Sequence, residues 1–521
     1  TILDRDSIPI GVVGSSNFIF DESERQLQLR DTWTIALGER HVLDAGIDVI
    51  SSGFRLRAAG TNPNGAYEVI DNGDIPVGAD GRYTLASVPA TVTVRRYTID
   101  AAPQQVNLRQ TTAGAWIEDR WRPTPALTVR AGLRWDVDDI TGRGPSRTDL
   151  TAWQPRASVN WAVTPSTIVR GGVGLFAGRL PYAIYSDAIQ FGATGSRAVT
   201  FEGADAPAFG AGPLAPQLDR STLPAGEARE LFALGLRTPR SRQATLGWQR
   251  LLAPSVSVAV DAVIVVTREL PRSWDLNATT RRIGPADTVG LPLAIGDTFR
   301  PTTPVPGGFR RRTTTASGGR AHYAALNSSL RWLPVSSVAL DARWTWSRAR
   351  TDAEDINFNA TQGNDFAAEW ADAINDRRHH VTTRAAWEGR RWSLATIVDW
   401  QTGTPVNRVA FFRDLNGSGG TFGDGFIGNW QRFAGVPRNG ERLPSAFTVN
   451  LSGGWRARVA GSDLRLRAEV FNVLNRVNAS GYANGLPGGG SRTQVGRPGD
   501  PIVIAAAAPP RQVQLSVEWA P

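Results

Sequence analysis

The chain has 521 residues, 57 basic against 48 acidic side chains and a mean hydropathy of −0.23. No apolar run reaches the roughly 18 residues that a helix needs to cross hydrocarbon, so a helical membrane protein is excluded. The absence of cysteine excludes disulfides and thiolate metal sites. Every basic residue is arginine, and these are dispersed rather than clustered, so we expect no nucleic-acid partner.

The sequence contains no methionine and begins at Thr1. We therefore expect the start of the translated protein to have been removed, together with any signal peptide.

The main pattern along the chain is alternation of apolar and polar residues, which is typical of strands with two different faces. In residues 447–459, for example, Val449 and Leu451 alternate with Thr448 and Asn450. About fifteen segments share the pattern: 26–36, 41–52, 107–122, 127–135, 153–163, 167–176, 242–251, 256–266, 323–332, 338–346, 378–387, 392–400, 447–459, 464–474 and 513–519.

Most of these segments are close to the length that a tilted strand needs to cross a membrane, roughly 9–11 residues. Tight turns join some pairs, at 122–125, 163–166, 253–255 and 333–336, while long polar connections join the others, at 53–105, 179–240, 269–320, 350–376 and 403–445. Short turns at one end and long loops at the other are typical of outer-membrane barrels, whose long loops lie outside the cell.

Tryptophan placement fits the same layout, because aromatic girdles mark the membrane interfaces. Six tryptophans fall near the ends of predicted strands: Trp332, Trp387, Trp392, Trp400, Trp455 and Trp519. The predicted fold is an all-β, antiparallel transmembrane β-barrel located in the cell outer membrane. A soluble β-sandwich or propeller would also alternate, but the strand lengths and the long loops disfavour it.

Several phrases resemble those of TonB-dependent receptors. Residues 115–137 read AWIEDRWRPTPALTVRAGLRWDV, which is similar to a common phrase of that family, and 153–161 followed by 169–176 resemble strands of its Oar-like subgroup. Residues 375–380 and 469–478 look like a strand start and a late strand of the subgroup. Residues 511–519 resemble the closing strand, which the barrel-assembly machinery recognises. The likeness runs from about Arg25 to the end.

The resemblance implies a barrel of about 22 strands, occluded in the family by an N-terminal plug that contacts TonB. Neither the plug nor the TonB-contacting box is legible in residues 1–521, and the likeness begins part-way through the barrel. We therefore interpret 1–521 as the barrel region, with long extracellular loops, of a protein that has a plug and several more strands.

The function that the resemblance implies is TonB-dependent transport of a bulky solute, such as a peptide or a chelated metal, and not catalysis. The expected partners are outer-membrane lipid and lipopolysaccharide, a TonB-type energising complex and the barrel-assembly machinery. A passive diffusion pore is one alternative, and a structural or adhesive surface barrel that transports nothing is another.

The alternation also predicts which side chains face the lumen and which form the assembly signal of the last strand. The lumen-facing set is Arg130, Arg134, Asp341, Arg343, Arg456, Arg458, Arg465, Arg467 and Glu469. We expect these residues to form ion pairs within the wall or with a plug rather than a substrate site, although polar lumen residues can also tune selectivity. The assembly signal is Val513, Leu515, Val517 and Trp519.

No sequence pattern predicts a catalytic or cofactor site, and metal binding has one candidate. Asp414, Asn416 and Ser418 have the spacing of the first three oxygen ligands of a calcium loop, although no acidic residue stands at its twelfth position. A polar turn is the alternative. His379 and His380 are adjacent, so on a strand they point to opposite faces and cannot ligate one metal together.

Two further patterns have simple structural interpretations. Gly172 and Gly174 are expected in a packed wall rather than in a nucleotide-binding loop, because the segment alternates as a strand. Seven carboxylates in the 350–376 connection are expected to be solvated, with contact to a divalent cation or a substrate as the alternative. They are Asp352, Glu354, Asp355, Asp365, Glu369, Asp372 and Asp376.

Overall fold

The structure is a computed structural model that describes residues 1–6, 9–14, 19–60, 62, 64–101, 105–143, 147–230, 234–410, 413–418, 431–482 and 493–520. Within these ranges no helix combines the length and the apolar character that a membrane crossing requires.

Thirteen strands of the described chain precede residue 254. They are β1 (Ile2–Leu3), β2 (Pro9–Gly11), β3 (Ile19–Leu37), β4 (His41–Gly60), β5 (Ala66–Ile70), β6 (Thr93–Ala101), β7 (Val106–Thr124), β8 (Leu127–Asp138), β9 (Ala152–Thr164), β10 (Thr167–Ala177), β11 (Arg197–Glu202), β12 (Gly226–Glu230) and β13 (Arg240–Ala253).

Fourteen more strands follow in the described chain. They are β14 (Val256–Asp275), β15 (Phe309–Val335), β16 (Val338–Thr351), β17 (Ala371–Asp372), β18 (His379–Glu388), β19 (Trp392–Gln401), β20 (Pro405–Val409), β21 (Glu441–Arg442), β22 (Ala446–Val459), β23 (Ser462–Phe471), β24 (Ala479–Tyr482), β25 (Thr493–Val495), β26 (Ile504–Ala507) and β27 (Gln512–Ala520).

Helices occur only in the connections between these strands, within the described residues. The α-helices are α1 (Ala183–Gln190) and α2 (Leu293–Gly296). The 3-10 helices span Leu85–Ser87, Asp139–Gly142, Gly203–Asp205, Ala215–Gln217, Asp297–Phe299 and Phe366–Glu369.

The long strands form one antiparallel sheet with the strand order of a closed barrel, in which β27 comes next to β3. Antiparallel ladders join fifteen of them in the order β3, β4, β7, β8, β9, β10, β13, β14, β15, β16, β18, β19, β22, β23 and β27. Thirteen of the fifteen alternating segments lie entirely on one of these strands, and the other two, 378–387 and 464–474, lie mostly on β18 and β23, so the predicted fold class and strand set are confirmed.

The strand register gives the wall two chemically different faces. Between β19 and β22, Val398 is opposite Val449, and the next pair along, Asp399 and Thr448, points to the other side. Because every residue of one face is opposite a residue of the same face, the alternation of each strand adds up to an apolar outer face and a polar inner face. Leu451, in the middle of β22, is an exposed outer-face residue.

Several strands differ in length from the sequence prediction. The β14–β15 ladder continues past register shifts to the pair Asp275 and Thr313, so the 269–320 connection begins and ends as strand. β23 instead stops at Phe471, before the predicted end at 474. Asn472 and Asn475 have φ values of 47° and 49°, a left-handed conformation that breaks the extended backbone.

Two of the long connections, which contribute β5, β6 and β11, fold together with β1 and β2 from the N-terminal residues into a second, five-stranded sheet with the order β11-β6-β5-β1-β2. Tyr97, Ile99 and Val199 form one buried apolar cluster of this sheet, and Ile2 and Val69 belong to another. The expectation of purely polar connections is therefore wrong for this region, because its own β-alternation buries enough apolar surface to form small cores.

Candidate functional site: the inner face and the loop-covered mouth

Ion pairs cross the inner face of the wall from strand to strand. Arg134 on β8 donates from Nε to Asp136 Oδ2 at 2.9 Å and from Nη2 to Asp48 Oδ1 on β4 at 2.7 Å. The second bond passes over β7, which lies between the two strands, so Arg134 links β8 to β4 across β7. Arg130 lies 3.8 Å from Glu118 of β7.

The predicted lumen-facing residues near the C-terminus are also paired. Arg456 bonds Glu388 at 3.1 Å, and Arg467 lies 2.8 Å from Glu469 and bonds Ser452 at 3.1 Å. The more exposed contacts of Arg458 with Asp463, at 4.0 Å, and of Arg465 with Glu518, at 3.4 Å, are weaker by geometry. The structure therefore brings most of the predicted lumen residues into pairs with neighbours on the wall, and not into one substrate site.

Asp341 and Arg343 are placed differently. Asp341 stands between Arg331 and Arg384 in the two ladders of β16, yet neither Asp341 nor Arg343 has an ion-pair partner within 4.0 Å among the described residues. Both therefore belong to the polar face without taking part in its charge network.

The predicted assembly residues Val513, Leu515, Val517 and Trp519 all lie on the outer face of β27. They alternate with Gln512, Gln514, Ser516 and Glu518, and they are exposed, Leu515 by 76%. This placement gives the last strand the continuous apolar side that a membrane strand requires.

The adjacent histidines point to opposite faces, as predicted. His379 stacks with Trp344 and Trp400 at ring-centroid distances of 6.0 and 6.3 Å, on the outer face. His380 Nε2 lies 2.6 Å from Asp399 Oδ2 on the inner face.

Gly174 of β10 lies in the packed wall, because a Cβ there would stand 3.0 Å from Arg156 Cβ.

Helix α1 lies on the inner side of β4 and β7, a feature that the sequence did not predict. Tyr182, Tyr185 and Ile189 pack against an apolar cluster formed by Phe54, Leu56, Val106 and Leu108. Phe54 and Tyr182 are stacked with their ring centroids 3.8 Å apart. Because this cluster belongs to the polar-face positions of β4 and β7, α1 covers an apolar patch inside the mouth of the barrel.

Hydrogen bonds fix the segment that leads into α1. Gln110 Nε2, buried on the inner face of β7, donates to both carboxylate oxygens of Asp138 at 3.0 and 2.9 Å and to the carbonyl of Leu180 at 2.9 Å. At the far side of α1, Arg229 bonds Asp187 at 2.8 Å. The inward position of the helix is therefore held by polar contacts on both sides as well as by its apolar packing.

The carboxylates of the 350–376 connection are not solvated as a group, and that expectation is wrong. Glu369 is fully buried and accepts two bonds of 2.8 Å from Arg432 Nη2, while Arg438 Nη1 bonds Glu354 Oε1 at 2.7 Å. The arginines come from the 403–445 connection, which is remote in sequence, and nothing in the alternation could have paired them. These ion pairs hold the 350–376 and 403–445 connections together.

Asp372 is the centre of a second group of ion pairs in these loops, with Arg378 and Arg442 each 2.8 Å from Oδ2. Burial acts to raise the pKa of Asp372, but the hydrogen bond from Arg442 and the charges of Arg378 and Arg348 outweigh it, so the pKa lies below its ordinary value. Asp372 is therefore charged at neutral pH and stabilises the loop cluster in that form.

The side-chain oxygens of the candidate calcium loop converge on the amide of Gln431. Its Nε2 lies 2.9 Å from Asp414 Oδ1, 2.8 Å from Asn416 Oδ1 and 2.9 Å from Ser418 Oγ. Its Oε1 accepts from the backbone N–H of Leu415 at 2.6 Å. An amide nitrogen thus stands where the three oxygens would hold a cation, and no cluster of three or more His, Cys, Asp or Glu side chains suited to a metal occurs in the described ranges.

A cavity of about 910 Å³ lies among the long connections. Its walls come from β11, from residues 223–226 and 289–292, and from Arg413 and Asp414. Three arginines line it: Arg197, Arg310 and Arg413. No sequence pattern predicts this cavity, because its walls come from three separate connections.

An antiparallel barrel with an exposed apolar outer face, an ion-paired inner face and long structured loops at one end defines an outer-membrane β-barrel protein. The chain matches the family described as "outer membrane beta barrel domain" over residues 9–142 and 139–424, and it belongs to that family. The predicted location in the outer membrane is confirmed by this membership.

Solved structures of larger proteins share the fold. The outer membrane transporter YddB from Escherichia coli is 13% identical with a TM-score of 0.56, and a variant of the ferric enterobactin receptor PfeA from Pseudomonas aeruginosa is 12% identical with a TM-score of 0.53. In both cases the alignment covers 96% of this chain and 54% of the other, so the chain spans about half the length of these proteins. No curated protein matches the sequence.

Proposed function

We propose that the chain forms the wall and mouth of an outer-membrane transporter that moves a bulky solute, such as a peptide or a chelated metal, with energy delivered through TonB. The observation that carries the proposal is the structured set of loops at one end of the wall. Helix α1 packs on the inner face and so occupies part of the lumen, and buried ion pairs hold two long loops together, whereas a passive pore is favoured by an unobstructed path.

The inner face supports the same proposal. A strand-to-strand network such as Asp48–Arg134–Asp136 stiffens a wall, and its polar surface lets hydrated solutes pass. The names of YddB, a transporter, and PfeA, a ferric enterobactin receptor, agree with transport of large solutes by this fold.

Planar-bilayer conductance of the purified protein tests whether helix α1 limits the passage of ions through the barrel. We expect low, intermittent conductance for the wild type and a large increase when residues 183–190 are replaced by a short Gly-Ser linker. A matched control replaces the exposed turn at residues 78–81, which lies in the connection between β5 and β6, and should leave conductance unchanged. A large, steady wild-type conductance would support the passive pore instead.

Energy coupling needs a cellular test. Solute uptake that is abolished by loss of TonB in the native cell supports the transporter. Uptake that continues without TonB supports the passive pore. Absence of any uptake, with binding of a surface partner retained, supports the structural or adhesive alternative.

A further inference from the structure

The arginines around the 910 Å³ cavity differ in how their charge is balanced. Arg310 is balanced, because Nε and Nη2 bond the two carboxylate oxygens of Asp297 at 2.7 and 3.0 Å. Arg197 is not. It is buried, with 6% exposure, and its hydrogen-bond acceptors among the described residues are the backbone carbonyls of Pro224, Gly307 and Gly308.

Two more arginines near Arg197 are held in the same way. Arg220 donates to the carbonyls of Ala101, Gly195 and Ala193 at 3.4, 2.9 and 3.0 Å. Arg413, exposed at the rim, donates to the carbonyl of Thr288. Among the described residues, none of the three has a carboxylate within 4.0 Å.

The electrostatic consequence is a positive potential at the cavity. Burial and the neighbouring charges of Arg220 and Arg310 lower the pKa of Arg197, which shows that cations crowd this region. Asp414 is the single carboxylate among the described lining residues, and its Oδ1 is already engaged by Ser418 N–H and by Gln431. Its one negative charge is smaller than the combined charge of Arg197, Arg220 and Arg413, none of which has a carboxylate within 4.0 Å among the described residues, so the region keeps an excess of positive charge.

We propose that this cavity binds a small polyanion, a solute carrying several carboxylate or phosphate groups, as the solute-capture site of the transporter. This assignment rests on the proposed function and adds the class of solute. Guanidinium groups fixed by carbonyls keep further N–H donors, and charge-assisted bonds to an anion are about twice as strong as neutral ones. A volume of about 910 Å³ is within the usual range of ligand sites, roughly 300–1,000 Å³.

The experiment is isothermal titration of the purified, refolded protein at low ionic strength with citrate, with pyrophosphate and with glucose as the uncharged probe. We expect citrate or pyrophosphate to bind, affinity to fall as salt is added, and glucose not to bind. The two anions show whether carboxylate or phosphate is preferred.

Arg413 is exposed, so Arg413→Gln should fold as the wild type does. It should weaken anion binding about tenfold, and Arg413→Lys should restore part of the loss. The control Arg82→Gln removes an exposed loop arginine that lies 3.9 Å from Asp80, outside the cavity lining, and should change nothing. Equal binding of glucose, or equal effects of Arg413→Gln and Arg82→Gln, would overturn the assignment.

The two proposals fail separately. If the conductance and uptake tests support transport while neither anion binds, the solute class is wrong and the transporter stands. If the anions bind at Arg413 and no solute crosses, the site stands and transport is wrong.

Discussion

Leu451 is the best position at which to test the two faces of the wall. It stands midway between Phe447, opposite Trp400, and Trp455, opposite Trp392, four positions along the strand from an aromatic pair on each side. Eight residues of strand span about 27 Å, or about 20 Å along the membrane normal at the usual tilt. Leu451 therefore lies near the middle of the apolar band.

The change is Leu451→Arg, compared with Asn450→Arg on the inner face. An arginine on the lipid face at mid-membrane costs about 2–4 kcal/mol, while lumen positions tolerate charge. Asn450 Oδ1 accepts from Asn472 N–H at 2.9 Å, so its replacement loses one hydrogen bond, worth about 1 kcal/mol. We expect Leu451→Arg to be the more destabilising change by about 1–3 kcal/mol.

The assay is reversible denaturant unfolding from phospholipid vesicles, followed by the mobility difference between folded and unfolded protein in gels. Leu451→Ala controls for the loss of apolar contact without a charge. Equal destabilisation by Leu451→Arg and Asn450→Arg would refute the assignment of the faces.

Three other changes test the last strand and the loops. Deletion of residues 511–521 removes β27 and should abolish membrane insertion, because it leaves the backbone of β23 unpaired in lipid; a protease-resistant, heat-modifiable product would contradict this. The pKa of Asp372 is lowered in the folded state, so the stabilising effect of its carboxylate is present above the unfolded pKa, about 4, and is lost as the pH falls below that value. Proteolysis of the loops should therefore increase on acidification, and Asp372→Asn should reduce this pH dependence. Gln431→Leu removes the amide donor that Asp414, Asn416 and Ser418 share and should lower the melting temperature by several degrees; a restoration by calcium would identify a cation site, and no effect would remove Gln431 from the loop's stabilising contacts.

The wall was predictable because its signal is local. A period of two in each segment determines which residues share a face, and the tight turns then determine which strands pair. Thr448 and Val449 could thus be assigned to opposite faces without knowledge of any contact. The unpredicted strand extensions, such as 269–275 of β14, lie beyond the membrane band, where alternation is no longer required.

The structure of the long connections was not predictable, because their contacts join residues that are far apart in the sequence. Glu369 and Arg432 are 63 positions apart, and Arg197 meets the carbonyl of Gly307 across 110 positions. The local sequence predicts a solvated run of carboxylates, because the arginines that pair with them lie in another connection. Whether the pairs are buried depends on how the loops fold. The calcium spacing had the same weakness, since Gln431 lies outside the motif.

The junction of β27 with β3 remains the most informative part of the wall. Fourteen antiparallel ladders lead from β3 to β27, so these two strands run in the same direction, whereas bacterial single-chain barrels have an even number of strands. Residues 21–37 of β3 and all of β27 are exposed on both faces, unlike the strands between them. Although β27 and β3 lie next to each other in this structure, the even strand number of such barrels leads us to expect further strands, in an odd number, between them in the membrane.

Disulfide cross-linking can test this expectation, because the chain has no cysteine of its own. Leu466→Cys with Val517→Cys is the positive control, since these residues are direct partners on β23 and β27 and a disulfide needs Cβ atoms about 4 Å apart. Leu515→Cys combined in turn with cysteine at Leu27, Leu29 and Trp33 samples the junction. If further strands intervene, the control pair cross-links and the junction pairs do not. Junction pairs that cross-link as efficiently as the control would mean that β27 pairs directly with β3 and that fifteen strands close the barrel.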